Sequence, residues 1–496
     1  MDEFVVHKFG GSCLREGSDI DRIAEVIQNI PGRPLVVVSA LWGMTDRLFR
    51  AAREPQYAGR LVNDLKSQHL LFAPGLDTGE FSKLFKKVIS GISNELVNLS
   101  SGEYSLRSEN LILAAGERLS ALAVAHRLRS IGLDANPIGA EDIGLKLKGK
   151  GRASEIDISA SSERLEREKL IGIPILTGWF GEGEDGDIAI LSRGGSDHSA
   201  AAFANLMNAS KLILWKDVDG IKRLNPRWGI DTPAIDYLGY GQASELALHG
   251  TPVIHPATVS PLIEPGIPLE IRNINNPTTD APTVIGPDFD LESIVAIGCQ
   301  PGVSVITQEG PLNSDLLSRI ESLGVEPWLI ESTRDGMKLI VPTHDLQDYE
   351  NLIHGKIEYR TGIISIIGNT GSKIIEHELV SKNEYGARYI IDTDDLSGAI
   401  LELYPIFSRM RMLRQWGGIV DICPDASPII SKTSIKGLYF NCGWGTGGFK
   451  ATPGSGDLFA HTIANDEPHK LNAAFNINRF VSGDLVDEHG AAAVAH

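Results

Sequence analysis

Between residues 4 and 286, short apolar runs that are typical of strands alternate with longer segments of helical pattern. The clearest run is Leu35-Val36-Val37-Val38, a continuous stretch of the kind found in buried parallel strands. Further strand-like runs occur at 4–6, 173–176 and 212–215, and helical patterns at 19–30 and 111–128. This alternation predicts an α/β domain with helices on both faces of a sheet. Ligands of such sheets bind at the carboxyl ends of the strands.

The next stretch, from about residue 292 to 376, has a different pattern. Strand-like segments at 293–307, 337–341 and 362–367 alternate with helical segments at 312–323 and 346–354, which gives five of the six elements of a β-α-β-β-α-β order. The strand-like segment at 362–367 begins a second copy of the pattern, which is lost after Ser372. The order predicts a ferredoxin-like α+β module that binds a ligand or forms an interface.

Composition narrows the class of protein. The formal net charge is −18, which argues against a broad nucleic-acid or anionic-membrane surface, because both need clustered cations. No apolar run approaches the roughly 20 residues needed to span a bilayer. The start Met-Asp-Glu has no basic region typical of a signal peptide, so we expect a cytoplasmic protein. The four cysteines are widely spaced and indicate neither a disulfide framework nor a metal site.

The first motif with chemical content is Lys8-Phe9-Gly10-Gly11-Ser12, directly after the first predicted strand. Glycine backbone can approach phosphates closely, and its N–H groups can form an anion-binding nest. A lysine beside it can stabilise a phosphoryl group in transfer. The alternative is an ordinary glycine turn after a strand.

A second motif, Ser192 to Ser199, leads into an alanine-rich helix. Here a helix N-terminus, the pair Gly194-Gly195, Arg193 and hydroxyl groups converge, which suits an anion. Asp197 would be out of place in a pure phosphate nest, but it fits if it holds a cation such as Lys8. The alternative is a capped helix start.

Two weaker motifs complete the set. Glu117, within the predicted helix at 111–128, could receive an ammonium group, although an acidic residue beside a basic one on a helix is usually solvated. Asp217 and Asp219, before Gly220, follow the strand at 212–215. They suit a nucleotide's ribose or its hydrated Mg²⁺, or they form a common Asp-Gly turn.

In this order, the four motifs resemble the aspartokinase branch of the amino-acid kinase family. The resemblance covers roughly residues 4 to 375 and includes Val36 to Ala40, Gly43 to Asp46 and Val253 to Pro256. It implies a three-layer αβα kinase domain at 1–290 and an ACT-type regulatory region, its second copy truncated, at 291–380. It also implies ATP with Mg²⁺, L-aspartate as the substrate, and a homo-oligomer formed through the ACT-like modules.

The resemblance also implies roles for individual residues. Lys8 would stabilise the transferring phosphoryl group and Asp197 would organise the site. The aspartate site would contain Ser39, Thr45, Glu117, Arg193, Gly194 and Ser196. The nucleotide site would contain Lys8, Gly10, Gly11, Ser12, Asp217, Asp219 and Gly220. Two departures stand out: Cys13 replaces a hydroxyl residue, and Thr251-Pro252 stand where the family usually has a lysine.

The C-terminal part, residues 381–496, resembles a different family. Four stretches resemble the end of a sarcosine oxidase β subunit: Arg414 to Gly418, Pro424 to Pro428, Gly437 to Gly456 and Asp487 to Gly490. In that family the segment closes over FAD. Gly443, Gly445 and Gly448 match G-x-G-x-x-G, but Pro453 is expected to interrupt the helix that should follow. We therefore expect no FAD and interpret this part as an orphan fragment.

Three classes of function follow from these patterns. The first is an aspartate kinase. The second is a flavin amine oxidase component that works with a partner chain. The third is an amino-acid sensor that keeps the kinase fold without catalysis. ADP release with aspartate, a yellow colour, and ligand binding without turnover would distinguish them.

Overall fold

The structure is a computed structural model of the 496-residue chain. It describes residues 3–55, 58–100, 105–149, 154–192, 194–225, 232–249, 253–277, 282–289, 294–310, 329–332, 336–343, 346, 349, 355–368, 378–383, 386–391, 423, 425, 427–444 and 448–486.

The first part of the described chain contains twelve named strands and nine α-helices. The strands are β1 (Phe4–Phe9), β2 (Arg33–Val38), β3 (Ala135–Ile138), β4 (Leu147–Lys148), β5 (Glu155–Ile156), β6 (Ile173–Thr177), β7 (Phe180–Glu182), β8 (Ile188–Ile190), β9 (Lys211–Lys216), β10 (Tyr237–Gly239), β11 (Leu269–Asn273) and β12 (Thr283–Gly286). The helices are α1 (Asp19–Asn29), α2 (Met44–Arg53), α3 (Leu61–Phe72), α4 (Ser82–Ser100), α5 (Leu106–Ser130), α6 (Ile158–Arg164), α7 (Gly195–Leu206), α8 (Tyr240–His249) and α9 (Pro256–Ile263).

Eight of these strands form one sheet in the order β10-β12-β11-β9-β1-β2-β6-β3. The six strands from β11 to β3 in that order run parallel, and β12 pairs antiparallel with β11. The central strands are apolar on both faces: all four residues from Leu35 to Val38 are fully buried. That burial is why a continuous β-branched run predicted a parallel strand here.

The helices fall into two groups that cover the sheet. In one group, α5 packs against β3 and β6 and contacts α1, α2, α3 and α4. In the other group, α7 packs against β1 and β9 and contacts α6 and α9. The predicted α/β domain and its strands at 4–6, 35–38, 173–176 and 212–215 are thereby confirmed.

A second sheet follows, with six strands in the order β14-β15-β13-β16-β18-β17. These are β13 (Ile294–Glu309), β14 (Leu329–Ser332), β15 (Gly336–Pro342), β16 (Lys356–Gly368), β17 (Glu378–Asn383) and β18 (Gly386–Ile391). The first strand lies between the third and fourth and pairs antiparallel with both, as the β-α-β-β-α-β arrangement requires. The helix predicted at 312–323 lies outside the described residues, as does most of the one at 346–354.

The sequence pattern did not predict β17 and β18. They extend the second sheet beyond Ser372, where the pattern was lost, because β18 pairs antiparallel with β16. Helix α8 packs against β13 and β16 and connects this sheet to the first domain. Ala296 and Ile367 accordingly belong to the same buried apolar cluster as the large sheet.

The C-terminal part contains a hairpin, β19 (Ile429–Lys432) and β20 (Tyr439–Cys442), followed by α10 (Gly448–Asn465) and α11 (Arg479–Ser482). The prediction that Pro453 interrupts the helix was wrong, since α10 continues through it for three more turns. Pro453 is the sixth residue of α10 and lacks the N–H that would bind the carbonyl one turn earlier, yet the helix continues past it.

Candidate active site

The candidate site lies at the carboxyl ends of the three central strands β9, β1 and β2. Each strand there ends in a motif singled out from the sequence: Gly10 and Gly11 after β1, Ser39 after β2, and Asp217 after β9. A Cβ built on Gly11 would stand 3.2 Å from the Ala40 carbonyl oxygen, so the loops after β1 and β2 touch through backbone. Only glycine permits this approach without displacing a neighbour.

A buried cluster of charges forms the centre of the site. Lys8 Nζ, on β1, lies 2.5 Å from Asp197 Oδ1, and Lys216 Nζ, at the end of β9, lies 2.8 Å from Asp197 Oδ2. Lys8 and Asp197 are 4% and 6% exposed. Burial alone would raise the pKa of Asp197, but the positive charges of Lys216 and Lys8 outweigh it and hold that pKa well below its ordinary value. Asp197 is therefore a fixed anion and cannot serve as a base at neutral pH.

The start of α7 brings Asp197 to the lysines. Gly194 precedes the helix with a φ of +75°, and a Cβ there would stand 2.6 Å from the His255 Cβ. Both facts require glycine at this position. Ser196 is half-buried in the first turn, next to Gly178 at the end of β6. The helix thus directs its N-terminus toward the site, where the positive end of the helix dipole favours an anion.

Glu117 lies on α5 and is 2% exposed. Its Oε1 accepts a hydrogen bond from the Ala40 backbone N–H at 3.2 Å, while its Oε2 is buried and has no hydrogen-bond partner. Burial raises the pKa of Glu117 to about 8, and the nearby charge of Lys8 partly opposes the shift. A buried carboxylate oxygen without a donor is costly unless a ligand supplies one.

The glycine loop lies against the charged cluster. A Cβ built on Gly10 would stand 3.3 Å from Lys8 Nζ, so backbone and ammonium group face the same space. Ser12 is half-buried in the short helical turn that follows. Cys13 points away from the loop and donates its thiol hydrogen to the Trp215 carbonyl oxygen at 3.3 Å. The structure therefore brings Lys8, Gly10 and Asp197 together, as the sequence predicted.

The neighbouring residues predicted for aspartate lie around the same edge. Ser39 is half-buried, and its backbone N–H donates to the Phe9 carbonyl oxygen at 3.1 Å. Thr45 is half-buried in the first turn of α2. Helices α2 and α5 meet at Gly116, whose added Cβ would stand 2.9 Å from both Ala40 Cβ and Leu48 Cδ1. Arg193 lies outside the described residues, as does Thr251-Pro252.

The loop after β9 is the most open part of the site. Asp217 and Asp219 are exposed; Asp217 pairs with Arg15 at 3.0 Å, and Asp219 accepts from Asn273 Nδ2 at 2.7 Å. Gly220 has a φ of +76°, and its added Cβ would stand 2.5 Å from Thr283 Oγ1. The turn is thus held by its neighbours, with both carboxylates at the surface.

Two site residues were not predicted from the sequence. Lys216 directly follows the predicted strand at 212–215, but no role was assigned to it. Its signal was present, because side chains alternate along a strand and Leu214 and Lys216 share the face on which Lys8 lies. The Ala40 amide that binds Glu117 had no sequence signal, since any residue supplies a backbone N–H.

Within the described ranges, no three His, Cys, Asp or Glu side chains come together as a metal site. Among those same ranges, no helix is long and apolar enough to cross a membrane.

Gly443, Gly445 and Gly448 carry the sequence fingerprint of a dinucleotide site. Gly443 directly follows β20 and Gly448 begins α10, a strand-to-helix context that suits phosphate binding, while Gly445 lies outside the described residues. Strand β20, however, pairs antiparallel with β19 in a sheet of two strands. The described residues of the C-terminal part therefore lack the parallel β-α-β unit on which such a fingerprint depends. They do not fit a complete FAD site.

Two family models match the chain. The model of the amino acid kinase family matches residues 3–273, and that of the FAD dependent oxidoreductases matches residues 326–462. The second match begins inside the six-stranded sheet, within the region predicted to be ACT-like.

Curated relatives divide in the same way. The sarcosine oxidase subunit beta of an Arthrobacter species is 49% identical over 160 residues, which cover 32% of this chain and 38% of that protein. The chain thus spans about two fifths of the length of this relative. Chloroplastic aspartokinase 2 of Arabidopsis thaliana is 27% identical over 407 residues, covering 73% of this chain and 74% of that protein.

Among solved structures, E. coli aspartokinase III in complex with aspartate and ADP superposes with a TM-score of 0.68 at 21% identity. The match covers 81% of this chain and 99% of that one, and at this identity it shows a shared fold. Because the kinase model matches more than half of the residues, the chain belongs to the amino acid kinase family.

Proposed function

We propose that this protein is an ATP-dependent kinase that phosphorylates the side-chain carboxylate of L-aspartate to give 4-phospho-L-aspartate. The observation that carries the proposal is the buried cluster of Lys8, Asp197 and Lys216 beside the glycine loop. The carboxylate of Glu117, which has one oxygen without a hydrogen-bond partner, interacts electrostatically with Lys8.

The reaction needs positioning and charge stabilisation rather than acid–base chemistry. A carboxylate with a pKa near ~3.9 is already ionised at neutral pH and needs no base. Its oxygen attacks the γ-phosphorus of ATP, the bond from that phosphorus to the β–γ bridging oxygen breaks, and ADP leaves with the electron pair. Negative charge is spread over the transferring oxygens, and a fixed ammonium such as that of Lys8 stabilises it.

Glu117 supports an α-amino acid as the acceptor. An α-ammonium group would donate to the free Oε2 and satisfy a buried oxygen that otherwise has no partner. Arg193, Ser39, Thr45, Gly194 and Ser196 complete the proposed aspartate site. A side chain as short as that of aspartate would bring its carboxylate toward Lys8, since Glu117 and Lys8 interact electrostatically.

The nucleotide would lie on the other side of the cluster. Gly10, Gly11 and Ser12 would contact phosphates, while Asp217, Asp219 and Gly220 would face the ribose or the hydrated Mg²⁺ that accompanies ATP. The exposure of both carboxylates and the rigid turn between β9 and Gly220 support this arrangement. Magnesium, which usually keeps several waters in nucleotide sites, would neutralise part of the phosphate charge.

The similar proteins support the same substrates. The Arabidopsis relative is named an aspartokinase, and the E. coli structure contains aspartate and ADP. We further propose that the chain divides into three regions, residues 1–290, 291–380 and 381–496. The second region would act as an ACT-like module through which homo-oligomers form, and the protein would be located in the cytoplasm. We expect no bound FAD, because the described C-terminal residues do not complete a site for it.

The test is ADP release by the purified full chain with Mg²⁺ATP and one acceptor at a time: aspartate, glutamate or N-acetylglutamate. We expect ADP release with aspartate. The other product is an acyl phosphate, so hydroxylamine should trap it as a hydroxamate. Release without hydroxamate would indicate ATP hydrolysis, and equal release with glutamate would remove aspartate as the specific substrate.

A further inference from the structure

The face of the sheet on which Lys216 lies determines what it can reach. In the pairing of β1 with β9, Lys8 stands opposite Leu214 and Phe9 opposite Trp215. Lys216 therefore follows one step beyond the last pair, level with Gly10, and shares the face of Lys8 because side chains alternate. Asp197 confirms the shared face, since its two oxygens contact the two ammonium groups.

The charges of this cluster do not balance. Burial lowers the pKa of Lys8, and the charge of Asp197 opposes that shift. With both lysines protonated, the one carboxylate of Asp197 contacts two ammonium groups, which leaves one positive charge in a site where burial makes charge costly. Lys8 has only 6% of its side chain exposed, but Lys216 has 19% and stands at the carboxyl end of β9. An anion bound against the glycine loop would balance the excess and could reach Lys216 from the solvent side.

We propose that Lys216 is a second catalytic lysine, which contacts the transferring γ-phosphoryl group together with Lys8, while Asp197 fixes both ammonium groups in place. This inference rests on the proposed kinase function and adds to it a residue on a separate strand. A purely structural Lys216 would hold Asp197 and touch no phosphate. The two roles differ in what the substitution of Lys216 does to phosphate binding.

The experiment compares the full-length parent with Lys216→Met and Lys216→Arg. We expect Lys216→Met to lower kcat on the order of 10²–10³-fold, the cost of one charge-stabilising donor. Affinity for ADP with aluminium fluoride and aspartate, which mimics the transferring phosphoryl, should fall by a similar factor, and affinity for ADP alone by much less. Lys216→Arg keeps the charge and should recover part of the kcat.

The matched control is Lys211→Met, at the other end of the same strand. Lys211 pairs with Glu270 at 2.9 Å, away from the site, so this variant should keep the parent's kcat. A Lys216→Met variant with kcat within threefold of the parent would overturn the proposal. So would a large loss of kcat with unchanged affinity for the fluoride complex, because that result indicates a structural role.

If Lys216→Met does not fold, Lys216→Gln and Lys216→Arg are compared by the same three measurements, and equal activity in both overturns the proposal. If the parent releases no ADP with any acceptor, the proposed function fails. The role of Lys216 is then tested by comparing the affinities of the parent and Lys216→Met for Mg²⁺ATP and for Mg²⁺ADP. Lys216→Met should weaken ATP binding about tenfold more than ADP binding. Equal weakening of both would reject a γ-phosphate contact.

Discussion

Lys8 and Asp197 connect the end of β1 to the first turn of α7 through a buried ion pair, with Nζ and Oδ1 2.5 Å apart. The two residues are 189 positions apart in sequence, so the folded sheet alone brings them together. Breaking a buried pair by removing one partner is more harmful than losing an exposed one, because the remaining charge has no compensation. The pair therefore links the stability of the site to its chemistry.

Lys8→Met should lower kcat on the order of 10²–10³-fold, because the transferring phosphoryl loses one positive donor. The KM for aspartate should rise by much less than kcat falls, since Lys8 acts mainly on the phosphoryl group and only partly opposes the raised pKa of Glu117. Steady-state ADP release measures both constants, with Lys148→Met, whose ammonium is exposed, as the control. Activity within a few-fold of the parent would remove Lys8 from the mechanism.

Glu117→Gln should raise the KM for aspartate more than it lowers kcat, because it removes a charge that binds the α-ammonium before and during reaction. The same measurement with N-acetylaspartate, which has no ammonium, checks the assignment. It should be a poor substrate of the parent. An exposed residue, Glu163, supplies the control substitution to Gln. Equal turnover of N-acetylaspartate and aspartate would show that Glu117 does not bind the ammonium.

Aspartate binding should depend on pH through the same residue. Burial raises the pKa of Glu117 to about 8 in the free protein, so the carboxyl is mostly protonated at pH 7 and must lose its proton to bind an ammonium. The KM for aspartate should therefore fall about tenfold per pH unit as pH rises toward 8, and level off above it. Glu117→Gln should abolish this dependence. A parent KM that is flat from pH 6 to 8 would contradict the assigned pKa shift.

Much of this site was predictable because it follows from strand periodicity. The strands at 4–6, 35–38 and 212–215 fix which loops meet, so Lys8, Gly10 and Asp217 were placed at one edge from sequence alone. The orphan oxygen of Glu117 was not predictable, because it depends on how α5 packs on the loop after β2. The second ammonium group, that of Lys216, was not predictable either. The sequence shows Thr251-Pro252 where the family usually has a lysine, but it does not show that β9 supplies a cation to the site.

Stability should fall as the solution becomes acidic, in part through His7. His7 is fully buried beside Trp215, whose Nε1 donates to His7 Nδ1 at 3.2 Å, and burial lowers the pKa of His7 to about 3. The unfolded chain binds a proton near pH ~6.5 but the folded chain does not, so stability present above that pH is lost as pH falls toward 3. Between pH 6.5 and 5 the loss from this residue is about 2 kcal/mol.

His7→Gln keeps an acceptor for Trp215 but cannot titrate, so its loss of stability over the same range should be smaller by that amount. Urea unfolding at pH 7.5 and 5.0 measures the difference. Other buried histidines, such as His69, contribute equally to both proteins and cancel. Identical pH dependence in the parent and His7→Gln would show that His7 has the same pKa in the folded and the unfolded chain.

The C-terminal part offers a test of whether the chain unfolds as one unit. Arg479 and Asp425 form a fully buried pair with two hydrogen bonds, at 2.6 and 3.0 Å, and Arg479 also donates to the Ser427 carbonyl oxygen at 2.8 Å. These contacts join α11 to the segment before β19. Arg479→Met leaves the Asp425 charge buried and unpaired, which costs about 3–5 kcal/mol.

We expect this variant to lose hydrogen-exchange protection in β19, β20 and α10, while its kcat for ADP release stays at the parent's value, because the kinase site is built entirely from residues before 290. Arg60→Ala is the control. It removes an exposed pair between Arg60 and Asp484 of the C-terminal part, and surface pairs contribute only about 0–1 kcal/mol. If Arg479→Met instead lowers kcat together with protection in β1 and β9, the oxidase-like part and the kinase domain unfold together. The C-terminal part would then stabilise the kinase site, and its interpretation as an orphan fragment would be wrong.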